Sequence, residues 1–338
     1  MKRFACVVLI LGMMLGGCSL QATPKQYTET YFTLFDTVTT VTGSADSKAE
    51  FAEQAQRVYD ALLEYHRLFD IYNEYDGINN LKTVNEAAGI APVTVDTRII
   101  ALLRSCKDYY ALTGGRVNAA MGSVLRLWHE ARNVGLSDPA DARLPDAEAL
   151  QQAGMHMDFD AVIIDEAAST VYLSDPEVQL DVGAIAKGWA VQQVAQTAPE
   201  GLLISVGGNI CATGPKDASG TPWVIGIQNP DGGAYLHTVS ITGGSVVTSG
   251  DYQRSYTVDG KAYHHIIDPD TLYPSNHWRS VTVVCADSGL ADALSTALFL
   301  LPLREGQALL DSCEGEAMWV DAGGNRFYSP GFKKFVKE

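Results

Sequence analysis

Apolar positions in the first half of the chain recur at helical spacing, whereas in the second half they gather into short runs. Phe51, Ala55, Val58 and Leu62 fall on one face of a 3.6-residue period and predict a long amphipathic helix over 46–69. A second helix is expected to follow Asp96, whose carboxylate suits an N-cap, and to stop at Gly114-Gly115; "NAAMGSVLRLWHEA" (118–131) reads as a third. Ahead of them, "YFTLFDTVTTVTG" (31–43) has the β-branched and aromatic texture of a strand. From about residue 160, "AVIID", "TVYLS", "GLLISVGG", "WVIGIQ" and "SVTVVCA" are separated by Gly, Pro and Asp. The Asp259-Gly260 pair between "SYTV" and "AYHHII" marks a tight hairpin. No fixed-period repeat interrupts 31–338, so the pattern predicts one continuous α+β domain with mixed β-sheets packed against helices in two lobes.

The 338 residues, 46% of them apolar, are ample for a sizeable core. With 40 acidic against 24 basic residues the chain carries a net charge of −16, which excludes nucleic acid as a natural partner. The opening "MKRFACVVLILGMMLGGCSL" has two basic residues, an apolar stretch too short for a confident membrane span and small residues before Cys18, the layout of an export signal over 1–18. "LGGC" (15–18) resembles the lipobox of bacterial lipoproteins, which makes Cys18 the expected acylated (palmitate-bearing) N-terminus, followed by a polar tether over 19–30. The expected location is therefore outside the cytoplasm, on a membrane surface facing the periplasm or the cell exterior, held by lipid. Cys106, Cys211, Cys285 and Cys313 are widely spaced in apolar contexts without a CxxC pair, the pattern of core residues rather than metal ligands.

Four stretches carry candidate chemistry. In "LDVGAIAKGWAVQQVA" (180–195), Asp181 ends an apolar run and Lys187 falls in the first turn of a helix, where free N–H groups and a positive dipole end suit phosphate; the same stretch also reads as a capped strand-to-helix turn. In "LADALSTALFLL" (290–301), Asp292 and Thr296 lie one turn apart on a greasy helix. They serve either as a first-turn acid and a back-bonded hydroxyl, or, if buried, as ligands of a hard cation such as Mg²⁺. "TSGDYQRSYTVDGKAYHHIIDP" (248–269) carries His264, His265 and Asp268; His265 or Asp268 could act as a general base, or the polar residues of this stretch could simply satisfy backbone groups. "SVGGNICATG" (205–214) is a Gly-Gly turn that lets backbone approach closely. No Walker loop, GxGxxG or G-x-S-x-G context is present.

In this order the stretches resemble the ApbE family of flavin transferases. The family's "DLGGIAKG" is similar to "DVGAIAKG" (181–188), its "tSGdYer" to 248–254, its "HHIiDP.TG" to 264–272 and its "AD.lsTa" to 291–297. "FDTVTTVTG", "IYNEYDGINNLKTVN" and "GGRVNAAMGSVLRLW" resemble its earlier motifs, so the likeness runs from about residue 31 to the end. It implies Mg²⁺-dependent transfer of FMN from FAD to a Thr or Ser hydroxyl of an acceptor flavoprotein, with release of AMP. It also implies Asp292, Thr296 and the Ala184 carbonyl as cation ligands, and FAD held by Phe35, Tyr72, Arg116, Val117, Asn118, Asp181, Lys187, His265 and Ile266 in a cleft between the lobes. His265 with Asp268 nearby is the expected base. An FAD pyrophosphatase yielding FMN and AMP, or a flavin-binding lipoprotein without chemistry, would use the same residues. Three positions depart from the family: Phe35 stands for its Met, Asn118-Ala119 for its Asp-Pro, and Leu272 for a Gly, the last requiring another turn geometry or an unusual φ.

Overall fold

A computed structural model describes residues 25–337. The export signal, Cys18 and residues 19–24 of the tether lie outside the described residues. In chain order, β1 (Lys25–Leu34) and β2 (Thr37–Ala45) are followed by α1 (Lys48–Phe69), α2 (Leu81–Glu86), β3 (Val93–Thr94), α3 (Thr97–Leu112), α4 (Gly122–Ser137) and α5 (Ala147–Gly154). Next come β4 (Val162–Asp165), β5 (Thr170–Leu173), α6 (Ala186–Thr197), β6 (Leu203–Val206), β7 (Asn209–Ala212), β8 (Trp223–Ile227), β9 (His237–Ile241) and β10 (Gly244–Gly250). The chain ends with β11 (Tyr256–Val258), β12 (Lys261–Tyr263), β13 (Ser280–Cys285), α7 (Ser288–Leu300), α8 (Leu303–Leu310), β14 (Gly315–Val320), β15 (Arg326–Tyr328) and β16 (Val336–Lys337).

The α+β class follows the sequence pattern, and the named strand pairs are antiparallel rather than mixed. Eight strands in the order β1-β2-β6-β7-β10-β13-β14-β15 form the main sheet. On it, α1, α3 and α6 bury Phe51, Leu62, Leu102 and Val191 in the largest core cluster, while α7 buries Leu294, Leu298 and Phe299 against Val281, Val283 and Trp319. A smaller body has its own core of Met121, Val124, Trp128, Leu150, Tyr256 and Ile267, drawn from α4 and its N-cap, α5, the β11–β12 hairpin and the segment after it. A cleft lies between the two, so two lobes describe the molecule well. No helix among the described residues is long and apolar enough to cross a membrane.

Local signals explain most boundaries. Ser47 accepts from the Glu50 N–H while the Glu50 carboxylate accepts from the Asp46 N–H, and Asp96 caps α3 through the Arg98 N–H. Three boundaries differ from expectation. The run 31–43 is a hairpin, turned at Phe35-Asp36, and β1 begins at Lys25, inside the stretch assigned to the tether. The third helix starts at Gly122 rather than 118, because the Asn118 carboxamide takes the Ala120 N–H and the Gly122 N–H is spent on the Gln179 carbonyl. Leu272 adopts φ 63°, the unusual backbone that its replacement of glycine demanded. Cys106, Cys211 and Cys285 are buried free thiols, as their apolar contexts predict, whereas Cys313, expected among them, is a free thiol only partly buried.

Candidate active site

Part of the cleft wall is the joint between α6 and α7. Gly188 permits it: a Cβ there would stand 2.3 Å from the Ser288 carbonyl oxygen and 2.5 Å from the Asp292 Cβ. At that separation the Gly188 N–H, in the first turn of α6, donates to Asp292 Oδ2 at 2.9 Å. Asn209 Nδ2, from the start of β7, donates to the same oxygen at 3.1 Å, and the Lys187 ammonium stands 3.6 Å from it. Asp292 is only 4% exposed. Burial pushes its carboxyl above the usual range, and Lys187, the Gly188 N–H and Asn209 offset only part of that push.

This donor set suits a hard cation. All three contacts to Asp292 fall on Oδ2, and Oδ1 receives none of them. Thr296, one turn further along α7, and Ala184, in the turn before α6, line the same cleft. One carboxylate oxygen, one hydroxyl and one carbonyl match a cation that keeps water and phosphate oxygens as its remaining ligands. A cage of carboxylates and imidazoles is not the arrangement: no group of three or more His, Cys, Asp or Glu placed to hold a metal occurs among the described residues.

The neighbouring histidines of "HHII" do different work. His264 is buried, donates from Nε2 to the Ser275 carbonyl at 2.7 Å and accepts the Ile266 N–H on Nδ1, so both its nitrogens are spent on the scaffold. His265 donates from Nδ1 to the Gln253 carbonyl at 3.2 Å, which fixes Nε2 as its unprotonated nitrogen. Burial, with the Arg254 and Lys187 charges adding to it, pulls His265 down to about 3, so the ring is neutral in the free protein. Asp268 is a correction. It does not line the cleft; its Oδ1 accepts the Asp270 N–H at 2.8 Å and pairs with Arg116 at 3.2 Å, so it organises the 268–273 turn instead of serving as a base.

The remaining expected residues converge. Phe35, Tyr72, Arg116, Val117, Asn118, Asp181, Lys187, His265 and Ile266 all line the cleft. Asp181 accepts the Gly183 N–H at 2.8 Å, shaping the turn that presents Ala184. Asn118 donates to the Met157 carbonyl at 2.8 Å, a bond that the family's aspartate could not make when ionised.

Sequence reasoning missed the wall opposite. At the end of α1, Asp70 accepts from the Tyr72 N–H, the Asn73 N–H and carboxamide, and the Tyr75 hydroxyl, at 2.7 to 3.0 Å. His66, one turn earlier, accepts the Phe35 N–H at 3.2 Å and meets the Phe35 ring edge-on. On α4, Arg132 Nη2 and the Tyr72 hydroxyl both reach His129 Nδ1, at 3.2 and 3.1 Å; an arginine only donates, so Nδ1 is the acceptor and His129 is neutral. Pairs spaced three or four residues apart, 66/70 and 129/132, were the available signal.

Comparison with known proteins places the chain in a family. The model of the ApbE family matches residues 35–319. A protein of Treponema pallidum named FAD:protein FMN transferase is 33% identical over 94% of this chain and 92% of its own length, and one of Klebsiella pneumoniae with the same name is 34% identical over 76% of this chain and 78% of its own. The crystal structure of the ApbE protein of Thermotoga maritima superposes with a TM-score of 0.82 at 28% identity, covering 93% of this chain and all of the other.

Proposed function

The chain belongs to the ApbE family, and on that premise we propose that it is an FAD:protein FMN transferase, moving FMN from FAD to a hydroxyl of an acceptor flavoprotein with AMP as the leaving group. The reaction forms one phosphoester bond between the acceptor oxygen and the FMN phosphorus and breaks the pyrophosphate bond of FAD. The observation that carries the reading is the Asp292 carboxylate, buried and under-compensated at an oxygen-donor cleft beside Lys187 and the N-terminal turn of α6. Such a carboxylate is compensated by a divalent cation, and the cation, Lys187 and the first turn of α6 together would suit the anionic pyrophosphate of FAD.

Asp292, Thr296 and the Ala184 carbonyl would hold Mg²⁺, which supplies charge neutralisation on the pyrophosphate oxygens. Lys187 adds a point charge to the same anion. His265 accepts the hydroxyl proton on Nε2, whose lone pair the Gln253 carbonyl guarantees by holding the proton on Nδ1. A bound dianionic donor opposes the Arg254 and Lys187 charges that depress this ring, so His265 becomes a stronger base with the donor in place than without it. Phe35 and Tyr72 offer ring faces to the donor's aromatic ends, and Asp181 accepts from a donor hydroxyl or ring N–H.

The acceptor hydroxyl is a Thr or Ser side chain, and the enzyme works outside the cytoplasm on lipid carried by Cys18. Conversion of Cys18→Ala should move the protein from the membrane to the soluble fraction. The transfer itself is tested by the intact mass of a flavoprotein acceptor after incubation with enzyme, FAD and Mg²⁺. A gain of one esterified FMN with one AMP released per acceptor supports the reading. Free FMN and AMP without a mass gain would make the protein a pyrophosphatase, and FAD bound without turnover would make it a carrier.

A further inference from the structure

Strain is concentrated at one edge of the cleft. The β1–β2 turn joins Leu34 to Thr37 through two residues, Phe35 and Asp36, at φ 52° and 51°. Two consecutive left-handed residues in a two-residue hairpin favour Asn-Gly or Asp-Gly; Phe-Asp adopts that backbone at a cost. A third left-handed residue, Arg254 at φ 44°, reaches across from the loop after β10 and donates from Nη2 to both strained carbonyls, Phe35 at 3.2 Å and Asp36 at 3.4 Å. The turn is thus held in a costly shape from outside, and what it presents to the cleft is the Phe35 ring, Asp36 and Thr37.

The hairpin also exposes apolar surface beside this turn. Phe32 is 72% exposed and Val38 47%, and both lie where the register shifts, between the Tyr31–Thr39 and Leu34–Thr37 pairs, with Phe32 and Thr33 on one strand facing Val38 on the other. The opposite face of the same hairpin is well covered, with Tyr27 stacked on Phe51 and Tyr31 on Tyr59 of α1. β1 is the terminal strand of the main sheet, ten residues long and without a neighbour on its outer edge among the described residues. A long edge ending in an exposed apolar pair is a surface that proteins usually protect unless a partner covers it. The chemistry supplies the partner: the hydroxyl that attacks the FMN phosphorus belongs to a polypeptide, which must lie over the rim of the cleft to deliver it.

We propose that the tip of the β1–β2 hairpin, Phe32 and Val38 with the strained turn between them, is the surface on which the acceptor polypeptide docks, its flavinylated segment laid across the hairpin so that the hydroxyl enters the cleft over Phe35-Asp36. The proposal rests on the transferase reading and adds to it where the second substrate binds. It separates the two substrates: the inner faces of Phe35 and Tyr72 serve the donor, while Phe32 and Val38 serve only the acceptor.

The test is the double variant Phe32→Thr/Val38→Thr in the full chain, since threonine keeps β-propensity and both positions are exposed. FAD affinity is read from flavin fluorescence, and transfer from the rate of acceptor mass gain against acceptor concentration. The proposal expects the acceptor KM to rise about tenfold or more, as for loss of a central apolar anchor, with FAD affinity and melting temperature kept. An unchanged acceptor KM would overturn it, and so would a parallel loss of FAD affinity, which would make the pair part of the donor wall. If the wild-type enzyme alone were a dimer that the variant dissolves, with the acceptor KM unchanged, the patch would belong to a second copy and the proposal would fall. Failure of the transferase reading is distinguishable, because then the wild-type enzyme would label no acceptor at all, and the docking surface would fall with it.

Discussion

Two buried carboxylates flank the cleft, and their surroundings are opposite. Asp70, in the loop leaving α1, takes four hydrogen bonds from its own segment, at 2.7 to 3.0 Å. Burial alone would raise its pKa, but the Asn73 and Tyr75 side chains and the Tyr72 and Asn73 N–H groups outweigh that and hold it below the usual carboxylate range. Asp292, at the α6–α7 joint, takes two hydrogen bonds and a lysine at 3.6 Å, all on one oxygen, and burial wins. The first carboxylate is completed by the protein; the second is left for something else to complete. On the proposed function, that difference separates an acid that shapes the site from the one that would hold the cation.

The sharpest test of the contrast is Asp292→Asn. Transfer should drop about a thousandfold, measured as acceptor labelling, while the unfolding free energy changes by less than about 1 kcal/mol, because removing an under-compensated buried charge offsets the weakened contacts. Asp70→Ala should behave in reverse. It strands four donors and should cost about 3 kcal/mol in urea unfolding, with a smaller loss of turnover that follows from the displaced Tyr72. If both variants lost stability equally, the distinction would be wrong.

Mg²⁺ provides the next comparison. At about a hundredfold over its Kd it should raise the melting temperature of the wild type by about 5 °C, leave Asp292→Asn unmoved and stabilise Asp70→Ala as much as the wild type. Calorimetry without FAD reads this independently of activity.

Acid separates the two carboxylates by sign, with the smallest effect. Asp70 has a lowered folded pKa, so its stabilisation is present above the unfolded value near ~3.9 and is lost as pH falls through its lower folded value. Asp292 has a raised folded pKa, so its cost is present at neutral pH and is relieved as pH falls through that raised value. Melting curves from pH 7 down to pH 3 without metal should therefore show Asp70→Asn losing the acid-side decline and Asp292→Asn losing the relief that precedes it.

Much of this architecture was legible in the chain. Helical periodicity located α1 and α3, Asp96 was legible as the cap of α3, and the Asp-Gly pair located the β11–β12 hairpin. Leu272 in a glycine's place called for either another turn geometry or an unusual φ, and the structure has the second. What stayed hidden was assignment among look-alikes. His264 and His265 are adjacent and chemically identical, and only the fold shows that His264 spends both nitrogens, on the Ser275 carbonyl and the Ile266 N–H, while His265 spends one, on the Gln253 carbonyl. Asp268 looked as available as any carboxylate until Arg116, 152 residues away in sequence, occupied it.

Sequence by itself therefore determined which segments form elements and which residue types could do the chemistry, because periodicity, caps and turns are local and act over a few residues. Tertiary structure alone decided which polar groups are satisfied. The hydrogen bonds from Gly188 and Asn209 to Asp292 span 104 and 83 residues, and the compensation of a buried charge depends on neighbours that only folding brings within 3 Å or so.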